Sequence, residues 1–136
     1  MTRKRKTRDV DKALYINYLK KAQECFHAAK SSFGREEWNA AVINAIHASI
    51  AGCDAMCVYF LGKRHAGDSH EDAVLLFKTI LSGKESTDVN ASRLARILSI
   101  KTTVEYEDRL ASESEADKVL RDCERFLEYV QKELPR

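Results

Sequence analysis

The segment from Glu36 to Leu61 carries two apolar stripes, where a helix on the surface of a globular protein carries one. At 3.6 residues per turn, Trp38, Ala41, Val42, Ala45, Ala48, Gly52, Met56 and Tyr59 form the first stripe. Ile43, Ile46, Ile50, Cys53, Cys57 and Phe60 form the second. A rod that is apolar on two sides must be enclosed by neighbours, and the small residues along it let those neighbours come close. Gly62 is placed to end it.

The flanking sequence supplies the neighbours. Between Asp11 and Phe33 the apolar positions Tyr15, Leu19, Ala22, Phe26, Ala29 and Phe33 recur at helical steps, with Asp9 or Asp11 as cap and Gly34 as stop. In "KRHAGDSHEDA", residues 63–73, Asp68 precedes Glu71 by three and Ser69 precedes Asp72 by three. That is capping-box spacing, so a third helix is expected to start there and continue through Ala73, Leu76, Phe77 and Ile80 to Gly83. "KESTDVN" reads as a polar loop, and a fourth helix follows over about Val89–Val104, buried through Leu94, Ile97 and Leu98. "EYEDRLAS" reads as a break. Ser112 and Glu115 then open a last helix that runs to Leu134, where Pro135 stops it.

No alternating run bounded by turn residues predicts a strand. The connections are short, so the expected fold is all-α, an antiparallel up-and-down bundle of four to five helices. It forms one domain over residues 11–136, behind a flexible basic arm at residues 1–10. The arm holds Arg3, Lys4, Arg5, Lys6 and Arg8 and is the one stretch suited to contacting nucleotide or RNA phosphates by charge alone. Outside residues 1–8 the chain has 18 basic against 21 acidic residues, which excludes a broadly basic nucleic-acid platform. No apolar run approaches ~20 residues, so nothing is expected to span a membrane and no membrane contact is expected. No apolar signal core follows the basic start, and Cys25, Cys53, Cys57 and Cys123 form no close-set framework. A cytoplasmic protein with reduced thiols is the expectation.

Candidate chemistry is sparse. Cys53 and Cys57 are one helical turn apart, but a tetrahedral zinc site needs two more ligands and no Cys-x-x-Cys or His-x-x-x-His provides them. No metal or cofactor is expected, and the cysteines read as small core hydrophobes. The five glycines are scattered, so no phosphate-cradling loop exists. Asn44, His47 and Asp54 are the exception, because they place polar groups along an otherwise apolar rod. Such groups need partners, water or an open groove. Trp38 and the alanine-rich helix pair also raise a tetratricopeptide-like scaffold, but no second copy follows at the ~34-residue period it requires.

"EWNAAVINAIHASIAGCDAMCVYFLG" followed by "SHEDAVLLF" resembles the HEPN domain (higher eukaryotes and prokaryotes nucleotide-binding). The likeness lies in an alanine-rich second helix with a histidine and an acidic residue, then a glycine, a loop and a histidine before a third apolar helix. "YEDRLASESEADKVLRDCERFLEYV" resembles the family's bent fourth helix and long terminal helix, so the likeness covers about residues 12–134. It implies self-association as a homodimer, and a partner protein such as a nucleotidyltransferase or a setting in a defence or toxin system.

Many members are metal-independent ribonucleases with a late Arg-x(4–6)-His motif, the histidine in acid/base chemistry and the arginine on phosphate charge. In this chain Lys101 stands where that arginine is expected and Glu105 or Tyr106 where the histidine is, and no histidine follows His70. The resemblance therefore implies an interaction or nucleotide-binding module that is not catalytic. Its groove is expected near Asn44, His47, Asp54, Lys101, Tyr106 and Arg109. Lys101 and Arg109 would attract phosphate and Tyr106 would stack on a base. The alternative is a metal-independent ribonuclease using Arg64 and His70, which match the string five residues apart but in an earlier loop.

Overall fold

A computed structural model describes residues 6–80 and 84–135. Asp11 accepts a hydrogen bond from the Ala13 backbone N–H at 2.9 Å and caps a short 3₁₀ turn, Lys12–Leu14. This turn leads into α1, Tyr15–Gly34. Gly34 was expected to terminate the helix by its conformational freedom. It stays helical, and the left-handed residue of the reversal is Glu36, at φ 62°. The double-striped segment forms α2, Trp38–Leu61, closed by Gly62 at φ 70°.

α3 is His70–Lys78, α4 is Glu85–Tyr106 and α5 is Glu113–Glu133. Gly83, the expected stop of α3, lies outside the described residues. α4 begins at Glu85, a turn earlier than the sequence pattern predicts. The positions that face inward there are Thr87 and Asn90, both buried. Thr87 shares a 3.2 Å hydrogen bond with the Tyr129 hydroxyl, and the Asn90 amide donates to the Ser86 carbonyl at 2.8 Å. Polar residues on a buried face hide a helix from a reading based on apolar spacing. The Ser112–Glu115 capping box opens α5 as expected, with both reciprocal bonds present at 3.0 and 3.1 Å.

α2 touches each of the other four helices, so it is the central rod of an all-helical bundle. Gly52 shows how closely its neighbours approach. A Cβ there would lie 2.7 Å from Leu127 Cδ2 and 3.5 Å from Phe126 Cε2, both on α5. Phe77 of α3 packs on the same Phe126 with ring centroids 5.5 Å apart. The Asn39 carboxamide oxygen accepts from the Ala111 N–H at 2.7 Å and pins the α4–α5 turn to the start of α2.

Two features depart from the sequence expectation. β1 (Thr7–Asp9) pairs antiparallel with β2 (Lys63–His65), in the register Thr7↔His65, Arg8↔Arg64, Asp9↔Lys63. Three-residue strands made of charged residues leave no alternation to detect. Residues 7–9, read in the sequence as basic arm, are thereby tied to the bundle, whereas Arg3, Lys4 and Arg5 lie outside the described residues. In addition, α2 is long and apolar enough to cross a bilayer by length and composition, contrary to the reading that no such run exists. Its many alanines raise its hydropathy, and most of it is buried inside the bundle.

Candidate functional site

A cavity of about 410 Å³ opens where the second half of α2, β2, the start of α3 and the second half of α4 face one another. Each element has a local reason to be there. Gly62 turns the end of α2 directly into β2, which brings Arg64 and His65 against the helix they have just left. The Ser69 hydroxyl accepts from the Asp72 N–H at 3.2 Å, so Ser69 is the cap of α3 and His70 its first residue. This settles the role of "GDSHEDA" as a helix start while leaving His70 on the cavity wall. On α4, Leu94, Leu98 and Lys101 follow at helical spacing, and all three line the same space.

Asp54 of α2 is only 9% exposed. Burial pushes its carboxyl up to about 7, against the opposing pull of Arg64 and Lys21. Arg64 donates from its Nη1 to the His65 carbonyl at 3.0 Å. Its Nε, and both ring nitrogens of His65, are buried and have no hydrogen-bond partner among the described residues. Buried polar nitrogens without partners are costly, so this wall is incomplete among the described residues. Asp68, at the rim, is the second carboxylate on the cavity.

The cavity continues outward. A shallower groove of about 520 Å³ shares Ile50, Asp54, Arg64 and Lys101 with it and adds Arg8, Tyr18, Lys21 and His47. The sequence-derived groove residues divide accordingly. His47, Asp54 and Lys101 come together here, as do Arg64 and His70 of the rival reading, so both readings meet at one place.

Asn44 is not among the described lining residues, and its amide donates to the Ala40 carbonyl of its own helix at 2.9 Å. Arg109 is also not among them. It lies on the exposed turn before α5, bound to Glu115 at 2.7 and 2.8 Å and to Glu107 at 3.0 Å. Those bonds hold Glu115 down at about 2 and occupy the guanidinium that was expected to attract phosphate. The side chain of Tyr106 lies outside the described residues.

Tyr18 and Lys21 escaped the sequence reading because they flank the apolar stripe of α1. Their i, i+3 spacing on the side of α1 next to His47 was the available signal.

The cysteines are all free thiols. Cys53 shares the cavity wall, but its hydrogen bond with Cys57 and its burial push its pKa well up, so it remains a protonated thiol. Burial raises Cys123 to about 11, and its thiol donates to the Ala45 carbonyl at 3.4 Å. Among the described residues no group of three or more His, Cys, Asp or Glu side chains is arranged to hold a metal ion.

The family model for the HEPN domain matches residues 15–134, nearly the span over which the sequence resemblance was drawn. Comparison with individual curated proteins finds no match.

Proposed function

The chain belongs to the HEPN domain family, and from that membership we propose that its groove binds the phosphate of a nucleotide or RNA. The module acts through that binding, beside a second copy of itself or a partner such as a nucleotidyltransferase, rather than as a catalyst. A place in a defence or toxin system fits such a module. One observation carries the reading. Arg64 and Lys101, from two separate elements, wall one cavity together with His65 and His70, and the buried Arg64 Nε and His65 ring nitrogens have no hydrogen-bond partner among the described residues. A phosphate supplies acceptor oxygens for the Arg64 Nε–H and for the His65 ring nitrogen that carries a proton. The carboxylate beside them is the one whose burial favours its neutral form near pH 7, so Asp54 opposes an anion less than an ordinary aspartate would.

Titration with 5′-AMP tests this directly. Binding should weaken about tenfold or more in Arg64→Gln, and similarly in Lys101→Gln, because each removes a charge-assisted contact. Unchanged affinity in both variants, in folded protein, removes the site.

A ribonuclease reading is favoured by a specific observation as well. Arg64 and His70 share the cavity with Asp54, a cation, a proton carrier and a carboxyl together. Labelled RNA incubated with chelator separates the two readings. No cleavage by wild type supports binding alone, whereas chelator-resistant cleavage that disappears in His70→Ala establishes the nuclease.

A further inference from the structure

Arg8 and Arg64 face each other directly across β1 and β2, two like charges in adjacent strands. Such a pairing is unfavourable. Both side chains line the outer groove. Lys21 enters it from α1 and Lys101 from α4, so four cations from four elements converge on a space that holds one carboxylate, Asp54. Tyr18 lies half-buried on the same wall, one turn before Lys21, whose Nζ sits 5.5 Å from the ring centroid. An aromatic face, flanking cations and an outer groove that shares its wall with the inner cavity are the parts of a single-strand track.

Resting on the phosphate-binding reading above, we propose that Arg8, Tyr18 and Lys21 form a second subsite, and that the ligand is a single-stranded oligonucleotide of at least two nucleotides. One phosphate occupies the inner cavity at Arg64 and Lys101. The adjoining nucleotide lies along the outer groove, its phosphate between Arg8 and Lys21 and its base against Tyr18. The strand β1 is then a functional wall as well as a structural one, because it delivers Arg8 to the site. With one phosphate beside Arg64 and the next beside Arg8, the repulsion between the two arginines is also relieved, so ligand binding tightens the β1–β2 pairing.

The experiment compares 5′-AMP with the 5′-phosphorylated dinucleotide pApA on the full chain at low salt. Stacking and an added phosphate contact should make pApA bind about tenfold or more tightly than AMP. Arg8→Gln and Tyr18→Ala should bring that ratio close to one while leaving AMP affinity unchanged, and Tyr18→Phe should preserve it. Arg8 is exposed, so its substitution remains informative even if Tyr18→Ala disturbs the packing of α1. Amide exchange at residues 7–9 should slow on adding pApA and not on adding AMP. Equal affinity for AMP and pApA in wild type overturns the second subsite while leaving the phosphate site standing. So does a loss of affinity for both ligands alike in Arg8→Gln. Absence of binding by either ligand overturns both readings together.

Discussion

The two faces of α2 make opposite demands. Toward α5, Ala45, Ser49 and Gly52 are fully packed and their polar groups are satisfied locally. The Ser49 hydroxyl donates to the Ala45 carbonyl at 2.9 Å, and the Cys123 thiol donates to the same oxygen. Toward the groove, His47, Ile50 and Asp54 meet crowded cations, a carboxyl held near neutrality and nitrogens without partners. The first face is complete within the chain and contributes stability. The second is incomplete among the described residues, and local rules broken in one region commonly mark a site where something else binds. The contrast predicts substitutions of opposite sign on the two faces.

The largest effect belongs to the packed face. Gly52→Val places branched atoms where even one Cβ would lie 2.7 Å from Leu127 and 3.5 Å from Phe126. Leu127 and Phe126 are buried, so neither side chain can swing away freely. Overpacking should cost about 3 kcal/mol, read as a lower midpoint in urea denaturation. A midpoint within error of wild type would mean that α2 and α5 are not in contact at Gly52, and the enclosure of the central rod would fail with it.

Asp54→Asn probes the other face, and its sign depends on pH. The folded carboxyl titrates near 7 because of burial, whereas an unfolded aspartate titrates near its ordinary value of about 3.9. Between those values the native state holds the proton more tightly. The stability this group contributes is therefore fully present below about pH 4 and is lost as pH rises through 7. Asparagine removes that loss but buries an amide. The variant should accordingly gain about 2 kcal/mol over wild type at pH 8, match it at about pH 5.5 and be less stable by about 1 kcal/mol at about pH 4.5, where the buried amide's cost outweighs the small loss. Thermal melts of both proteins across this range isolate Asp54 from the histidines, which they share. A difference that stays constant with pH would deny Asp54 its buried, groove-facing position.

How far the sequence foretold this contrast can be traced residue by residue. The packed face was legible because apolar spacing is the direct imprint of burial on a helix, and Gly62, Ser69 and Ser112 are end signals with local mechanisms. The start of α4 was not, since Thr87 and Asn90 are buried through hydrogen bonds rather than apolar transfer. For the groove, Asp54 and His47 were legible as polar intruders on the rod, and Lys101 through the family likeness. Their company was not. Arg8 and Arg64 are 56 positions apart in sequence and meet only through a strand pairing that leaves no pattern. Arg109 was misplaced for the opposite reason. Its neighbours Glu107 and Glu115 bind it locally, and a lone cation in a sequence does not reveal whether its charge is already taken.

The smallest effect is the most discriminating in sign. Arg8→Thr replaces one member of a like-charged cross-strand pair with a β-branched residue suited to a strand. On a surface optimised for folding alone, removing an exposed arginine should be neutral or mildly harmful. Here it should stabilise the free protein by about 0.5 kcal/mol at low ionic strength, because it relieves repulsion with Arg64. The gain should fade as salt screens the exposed charges, and phosphate in the buffer should abolish it by bridging the two arginines in wild type. Melts of both proteins at low salt, at high salt and with added phosphate read out the three conditions. A destabilised variant at low salt would show Arg8 supporting the sheet instead of straining it, and the two faces of α2 would then differ in chemistry without differing in what they demand.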